Sequence, residues 1–119
     1  MAAGPVTGLS HALAEDKPSK AAGEKLSVAC VGVRGRGASH YGFFAGRADT
    51  EVTYICDVDE KVAHRAADGI AAKQGRRPKV EKDMRKVFED KSVDIACFAT
   101  PNHWHALGAI WALQAGKDV

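Results

Sequence analysis

An apolar run that breaks abruptly into glycines constrains this chain more than any other stretch: Leu26 to Val33, overlapping Gly32-Val33-Arg34-Gly35-Arg36-Gly37. A Val-rich run of that kind, apolar at consecutive rather than alternate positions, suits a strand buried on both faces. Such strands belong to parallel sheets, and parallel neighbours need a crossover between them, usually a helix. The rest of the chain supplies those crossovers. Ala38 to Arg47 carries Tyr41, Phe44 and Ala45 at helical spacing, and Glu51 to Cys56 is a second strand. Asp59 caps a long helix from about Glu60 to Lys73, with Val62, Ala63, Ala66, Ile70 and Ala71 as its apolar stripe; Gly75 stops it and Pro78 follows. Lys79-Val80 predicts a short third strand, and Asp83 caps a small helix through Phe88 with Val87 and Phe88 inward. Val93 to Ala99 is a fourth strand that Thr100-Pro101 ends, because proline cannot donate to a ladder. Asn102 caps a last helix through Ala115, with Ala106, Leu107, Ile110, Trp111 and Leu113 mostly on one side and Gly116 as its stop. Lys117-Asp118-Val119 reads as the opening of a fifth strand. The alternation predicts an α/β fold, a doubly wound parallel sheet with helices on both faces.

The chain has 119 residues, 45% hydrophobic and 27% charged, enough for one domain with one core. That domain is expected over 26–119. A net charge of +2, with scattered basic residues, gives no reason to expect a nucleic-acid or membrane partner. No stretch reaches the roughly 18 apolar residues of a membrane span. Cys30, Cys56 and Cys97 are an odd count without paired spacing, each inside a strand-like run, so buried free thiols are expected. Residues 1–25 lack an apolar period and read as a tail. Ala12-Leu13-Ala14 before Glu15 fits an export cleavage site, but a charged start is missing. A disordered leader and the remnant of an export signal both stay open, and with them a cytoplasmic or a periplasmic location.

The glycines nearly spell G-x-G-x-x-G. Gly32 supplies the sharp turn after the first strand and Gly37 the close packing of the next helix, while Arg34 stands where the middle glycine belongs. Gly35, one residue later, restores close backbone approach by a small shift of the turn, and Arg34 or Arg36 adds charge toward phosphates. Asp57 ends the second strand, and 57 − 37 = 20 is the spacing to an acid that holds the adenosine ribose hydroxyls. Asp59 is read as a helix cap. An acid at 57 disfavours a 2′-phosphate and so favours NAD over NADP, although two nearby arginines blunt that inference. Thr100, Pro101 and Asn102 lie at the carboxyl end of the fourth strand, where ligands of open α/β sheets bind. His103 and His105 offer two ligands without a carboxylate or cysteine set, so no metal site is assigned. Trp104 packs against a neighbouring domain, floors the site or serves core packing, with the three left open. His40 and His64 read as structural or solvated.

The stretches LSVACVGVRGRGASHYGFF, VTYICDVDEKVAHRAA and VDIACFATPNHWHALGAIWALQAGKDV together resemble the N-terminal, Rossmann-type domain of the Gfo/Idh/MocA oxidoreductases, over about residues 26–119. The T-P-x-x-x-H…A-G-K-x-V part is the most specific. Members commonly carry G-V-G-G-R-G in the first loop, so Arg34 replaces a glycine. The resemblance implies NAD(P)-dependent hydride transfer on a small-molecule substrate, a sugar, cyclitol or related alcohol. It also implies a C-terminal substrate domain and a homo-oligomer. It places cofactor contacts on Gly32, Gly35, Gly37 and Asp57, with Thr100, Pro101, Asn102 and His105 on the nicotinamide side; Val33, Arg34 and Arg36 are expected at the cofactor as the rest of the same loop. Members continue into a Glu-Lys-Pro motif whose lysine assists proton transfer; this sequence stops at Val119, before it, so no catalytic residue is assigned. The 119 residues are accordingly expected to be the inactive front part of a longer oxidoreductase. A glycosidase of the same fold that oxidises its sugar transiently with NAD, a methyltransferase, and a non-catalytic dinucleotide-binding fragment are the competing readings.

Overall fold

A computed structural model describes residues 24–119; both readings of the N-terminal tail concern residues that lie outside them. Four strands, β1 (Leu26–Val31), β2 (Thr50–Cys56), β3 (Lys79–Glu81) and β4 (Ile95–Phe98), alternate with four helices, α1 (Arg36–Ala45), α2 (Glu60–Gln74), α3 (Met84–Glu89) and α4 (Asn102–Gln114). The sheet order is β3-β2-β1-β4 and every pairing is parallel. Asp118 bridges to Ile95 beyond β4, so the expected fifth strand begins there. The chain steps from β1 through β2 to β3 on one side, then crosses to the other side of β1 for β4. Strand order therefore reverses at β1, and the crevice of such a sheet opens at the carboxyl ends of β1 and β4.

Pleating divides the sheet into two cores. Val28, Cys30, Val52 and Ile55 face α1 and α2, meeting Ala45, Ala63, Ala66 and Ile70. Ala29, Val31, Cys56 and Ala96 face α3 and α4, meeting Val87, Phe88 and Ala112. Helices thus cover both faces, as the doubly wound reading requires. Alternation survives a register shift between Val28 and Ala29, whose partners are Val52 and Tyr54. The extra residue, Thr53, has its hydroxyl 2.7 Å from the Ser27 hydroxyl and donates to the Val28 carbonyl, so the irregularity leaves no polar side chain stranded.

The ends of α2 follow the sequence. Asp59 accepts from the Lys61 and Val62 amides, and Gly75 closes the helix in the left-handed region at φ 87°. Asp83 caps α3 by accepting from Arg85 N. Five expectations need correcting. β1 stops at Val31, because Gly32 already turns at φ 84°, and α1 starts at Arg36 rather than Ala38 because Gly35 takes the cap position. β4 is shorter than Val93–Ala99: the Val93 amide donates to Asp90 O in a turn. Asn102 is the first residue of α4, not its cap; Pro101 holds the cap position, and no side chain bonds the helix start. The α4 stripe is also different. Gly108 and Ala112 are its buried residues, while Leu107, Ile110 and Leu113 are 40%, 50% and 53% exposed. The helix is apolar nearly all round, so its sequence period could not show which face meets the sheet; the smallest residues do, because they let the backbone come closest.

Candidate functional site

The three glycines of the first loop serve three separate purposes. A Cβ on Gly32 would lie 2.8 Å from the backbone carbon and oxygen of Ala99 and 2.9 Å from Thr100 N, so Gly32 is where the β1 turn and the β4 turn touch. A Cβ on Gly37 would lie 2.1 Å from Gly32 O, so Gly37 lets the first turn of α1 sit against the end of β1. Gly35 has φ 51° and nothing within 4 Å of a built Cβ, so it serves the turn and leaves the loop surface open. α1 begins with Gly37 N donating to Arg34 O at 2.8 Å and Ala38 N to Gly35 O at 3.0 Å. No side chain caps it and no acid lies in its first turn. Its positive dipole end therefore faces the loop without a built-in counter-charge.

Asp57 lies beside this loop at the end of β2. Its Oδ2 accepts from Val33 N at 3.2 Å and its Oδ1 from Asp59 N at 2.9 Å, which fixes the carboxylate in orientation. Each oxygen retains a second lone pair, enough to accept from a neighbouring hydroxyl. Asp59, two residues on, forms an ion pair with the Arg34 guanidinium, which closes the loop onto the start of α2. The Val62 amide, and then Arg34, hold the Asp59 carboxyl below the usual carboxylate range.

Across the crevice, Ala99 N donates to Val31 O at 2.8 Å, which holds the β4 turn against β1. Thr100 Oγ1 is buried there without a hydrogen-bond partner among the described residues. Pro101, Asn102 and His105 are exposed along the first turns of α4. Two chain segments, Gly32–Gly37 and Ala99–Thr100, thus meet at one end of the sheet, and Asp57 bonds the first of them from β2.

The remaining candidates have duller partners. His40 Nδ1 is 3.2 Å from Cys97 Sγ, between α1 and β4, and His64 Nδ1 is 3.0 Å from Arg77 Nη2. His103 stacks beside Trp104, ring centroids 5.7 Å apart, on the exposed side of α4. Cys30 and Cys56 are buried as expected, whereas Cys97 is only half-buried. Two scaffolding side chains escaped the sequence. Gln74 accepts from Val52 N and donates to Val52 O, standing in for the strand that β3 is too short to provide. Asp94 accepts from Ser27 N and so anchors the start of β1. A polar residue at a helix end or before a strand has many uses, and no local pattern marks these.

The family model for the oxidoreductase family with an NAD-binding Rossmann fold, Gfo/Idh/MocA, matches residues 26–119. A glycosyl hydrolase family 109 protein of Stenotrophomonas maltophilia is 32% identical over 92% of this chain and 26% of its own length. An alpha-N-acetylgalactosaminidase of Shewanella oneidensis is 32% identical over 79% of this chain and 21% of its own length. Among solved structures, an NAD-binding protein from Listeria innocua superposes with a TM-score of 0.63 at 30% identity, over 79% of this chain and 25% of that one. GenD2 from gentamicin A biosynthesis, solved in complex with NAD, superposes with a TM-score of 0.68 at 24% identity, over 87% of this chain and 28% of that one, a likeness of fold. The chain spans about a quarter of the length of these proteins. With that family match, the parallel sheet and the glycine turn at its point of reversal, the chain belongs to the Gfo/Idh/MocA oxidoreductase family, of which it carries the NAD-binding Rossmann domain.

Proposed function

We propose that residues 32–37, Asp57 and the Thr100 turn hold NAD, and that the whole protein transfers a hydride between it and a carbohydrate or related alcohol. The observation that carries this is the convergence of the glycine turn, the uncapped start of α1 and an oriented Asp57 carboxylate at the carboxyl ends of β1 and β2. The fit is chemical as well as geometric. The open surface at Gly35 admits a pyrophosphate to the α1 amides, with Arg36 as the first helical residue beside it. Asp57 accepts from ribose hydroxyls while its backbone partners keep it in place. Thr100 Oγ1, buried and without a partner among the described residues, is a donor and acceptor at the nicotinamide side. Pro101, Asn102 and His105 continue that side along α4. When bound, NAD would supply the hydride acceptor, and the chain's own residues would hold and orient it. The Asp57 carboxylate, oriented beside the loop, repels a 2′-phosphate and so favours NAD over a 2′-phosphorylated dinucleotide.

A second reading is favoured by the names of the curated relatives, a glycosyl hydrolase family 109 protein and an alpha-N-acetylgalactosaminidase. In it the sugar is oxidised transiently, its substituent eliminated and the hydride returned. Both readings use the same cofactor site and leave the base and the substrate pocket to parts of the protein beyond this chain, and both allow an oligomer. Titrating the 119-residue chain with NAD tests the shared part. Saturable binding that Asp57→Ala weakens about tenfold or more supports it, on the scale of charged hydrogen bonds. Binding of S-adenosylmethionine without NAD would overturn it.

A further inference from the structure

We infer that Asp59 determines dinucleotide specificity by withholding the Arg34 guanidinium from the ribose 2′ position. The inference rests on the reading that Asp57 receives the adenosine ribose. Arg34 directly follows Val33, whose amide is bonded to the Asp57 carboxylate, and its own side chain reaches back to Asp59. The guanidinium therefore lies within the segment that would face the 2′-hydroxyl. Free there, arginine is the residue best suited to a phosphate, through its bidentate fork. Paired with Asp59, its charge is already balanced, and Asp57 remains as uncompensated negative charge toward a 2′-phosphate.

The loop thus contains the means of binding a 2′-phosphate and a latch that disables it. Both partners are exposed, so the ion pair adds little to stability. Its consequence is where the charge sits, and specificity is a difference between two affinities that one displaced charge alters. The latch also explains how an arginine is accommodated where the G-x-G-x-x-G pattern has its middle glycine: its side chain is drawn across to the start of α2.

The test is the ratio of NADP to NAD affinity, by calorimetry on the 119-residue chain. Asp59→Asn removes the charge yet keeps the side-chain oxygen that caps α2, since asparagine caps as well as aspartate. It is expected to move the ratio toward NADP by about tenfold, the size of one charge-assisted contact. Arg34→Ala in the Asp59→Asn background should remove that gain. NAD binding unchanged with an unmoved ratio overturns the inference while leaving the cofactor reading intact. A gain that survives loss of Arg34 overturns it too, since relief of repulsion alone would then suffice. Failure of the unsubstituted chain to bind either nucleotide instead refutes the reading beneath it.

Discussion

Gly37 and Gly35 stand two residues apart and make opposite demands. At Gly37 an added Cβ would meet the Gly32 carbonyl oxygen at 2.1 Å, backbone against backbone, with nothing flexible to give way. Gly37→Ala is expected to cost about 3 kcal/mol, the upper end for forced overpacking, read as a lowered urea midpoint. At Gly35 the surroundings are open and the cost is conformational only: φ 51° with ψ −114° lies outside the left-handed well that asparagine visits, so Gly35→Ala should lose about 1–2 kcal/mol, less than Gly37→Ala. A reversed order would contradict the roles given to the two glycines. The thiols make a second residue-scale prediction. Burial first, then the Glu81 carboxylate, pushes the Cys56 thiol up to about 12, and burial with Cys97 nearby pushes Cys30 up as well. Both should stay unreactive toward a disulfide reagent in the native chain and react on unfolding; rapid native labelling of either would contradict their burial. The sequence made Gly32, Gly37 and Asp57 legible because backbone geometry and strand spacing leave few alternatives there. The Arg34–Asp59 pair was not legible. An ion pair across two loops depends on where the loops come to rest, and Asp59 had a sufficient local reason to exist as a cap.

Elements were legible in proportion to how sharply their periods contrast. α2 has charged residues between its alanines and a capped start and stop, and it lies where the pattern put it. α4 has leucine, isoleucine, tryptophan and alanine on most sides, so the pattern chose the large residues, whereas the sheet chose Gly108 and Ala112. A Cβ at Gly108 would lie 2.7 Å from Phe98 Cε1 and 3.3 Å from Met84 Sδ. Gly108→Ala gains about 1 kcal/mol of helix propensity and loses more to overpacking, since Phe98 is itself set edge-on to Phe88. A net loss of about 1 kcal/mol is expected; a stabilised variant would show that α4 does not sit on Phe98 this closely. The turn after α3 gives a pH signature. Asp90 accepts from the Ser92 hydroxyl and from the Tyr54 hydroxyl, and the Ser92 bond foremost holds its carboxyl down at about 2. A depressed carboxylate contributes stability that is present above its ordinary value of 3.8 and is lost as pH falls through about 2. Asp90→Ala should therefore lower the urea midpoint at neutral pH, and the gap from the unsubstituted chain should close as pH falls through that window. A gap independent of pH would mean the loss is one of packing.

At the scale of the molecule, the order β3-β2-β1-β4 places two turns that are far apart in sequence against each other, Gly32 against Ala99 and Thr100. The alternation of strands and helices was enough to read this layering, because connections in parallel sheets are few and of one hand. The contact itself required knowing which strand lies beside β1, and that neighbour, β4, follows it only after two intervening strands. This junction, with Asp57, is the proposed dinucleotide site. Amide chemical shifts of the 15N-labelled 119-residue chain, followed through a titration with NAD, test it residue by residue. Saturable changes are expected at Gly32 to Gly37, at Asp57 to Asp59 and at Ala99 to Asn102. No saturable change, or changes confined to the exposed side of α4 or to the β3 edge, would contradict it.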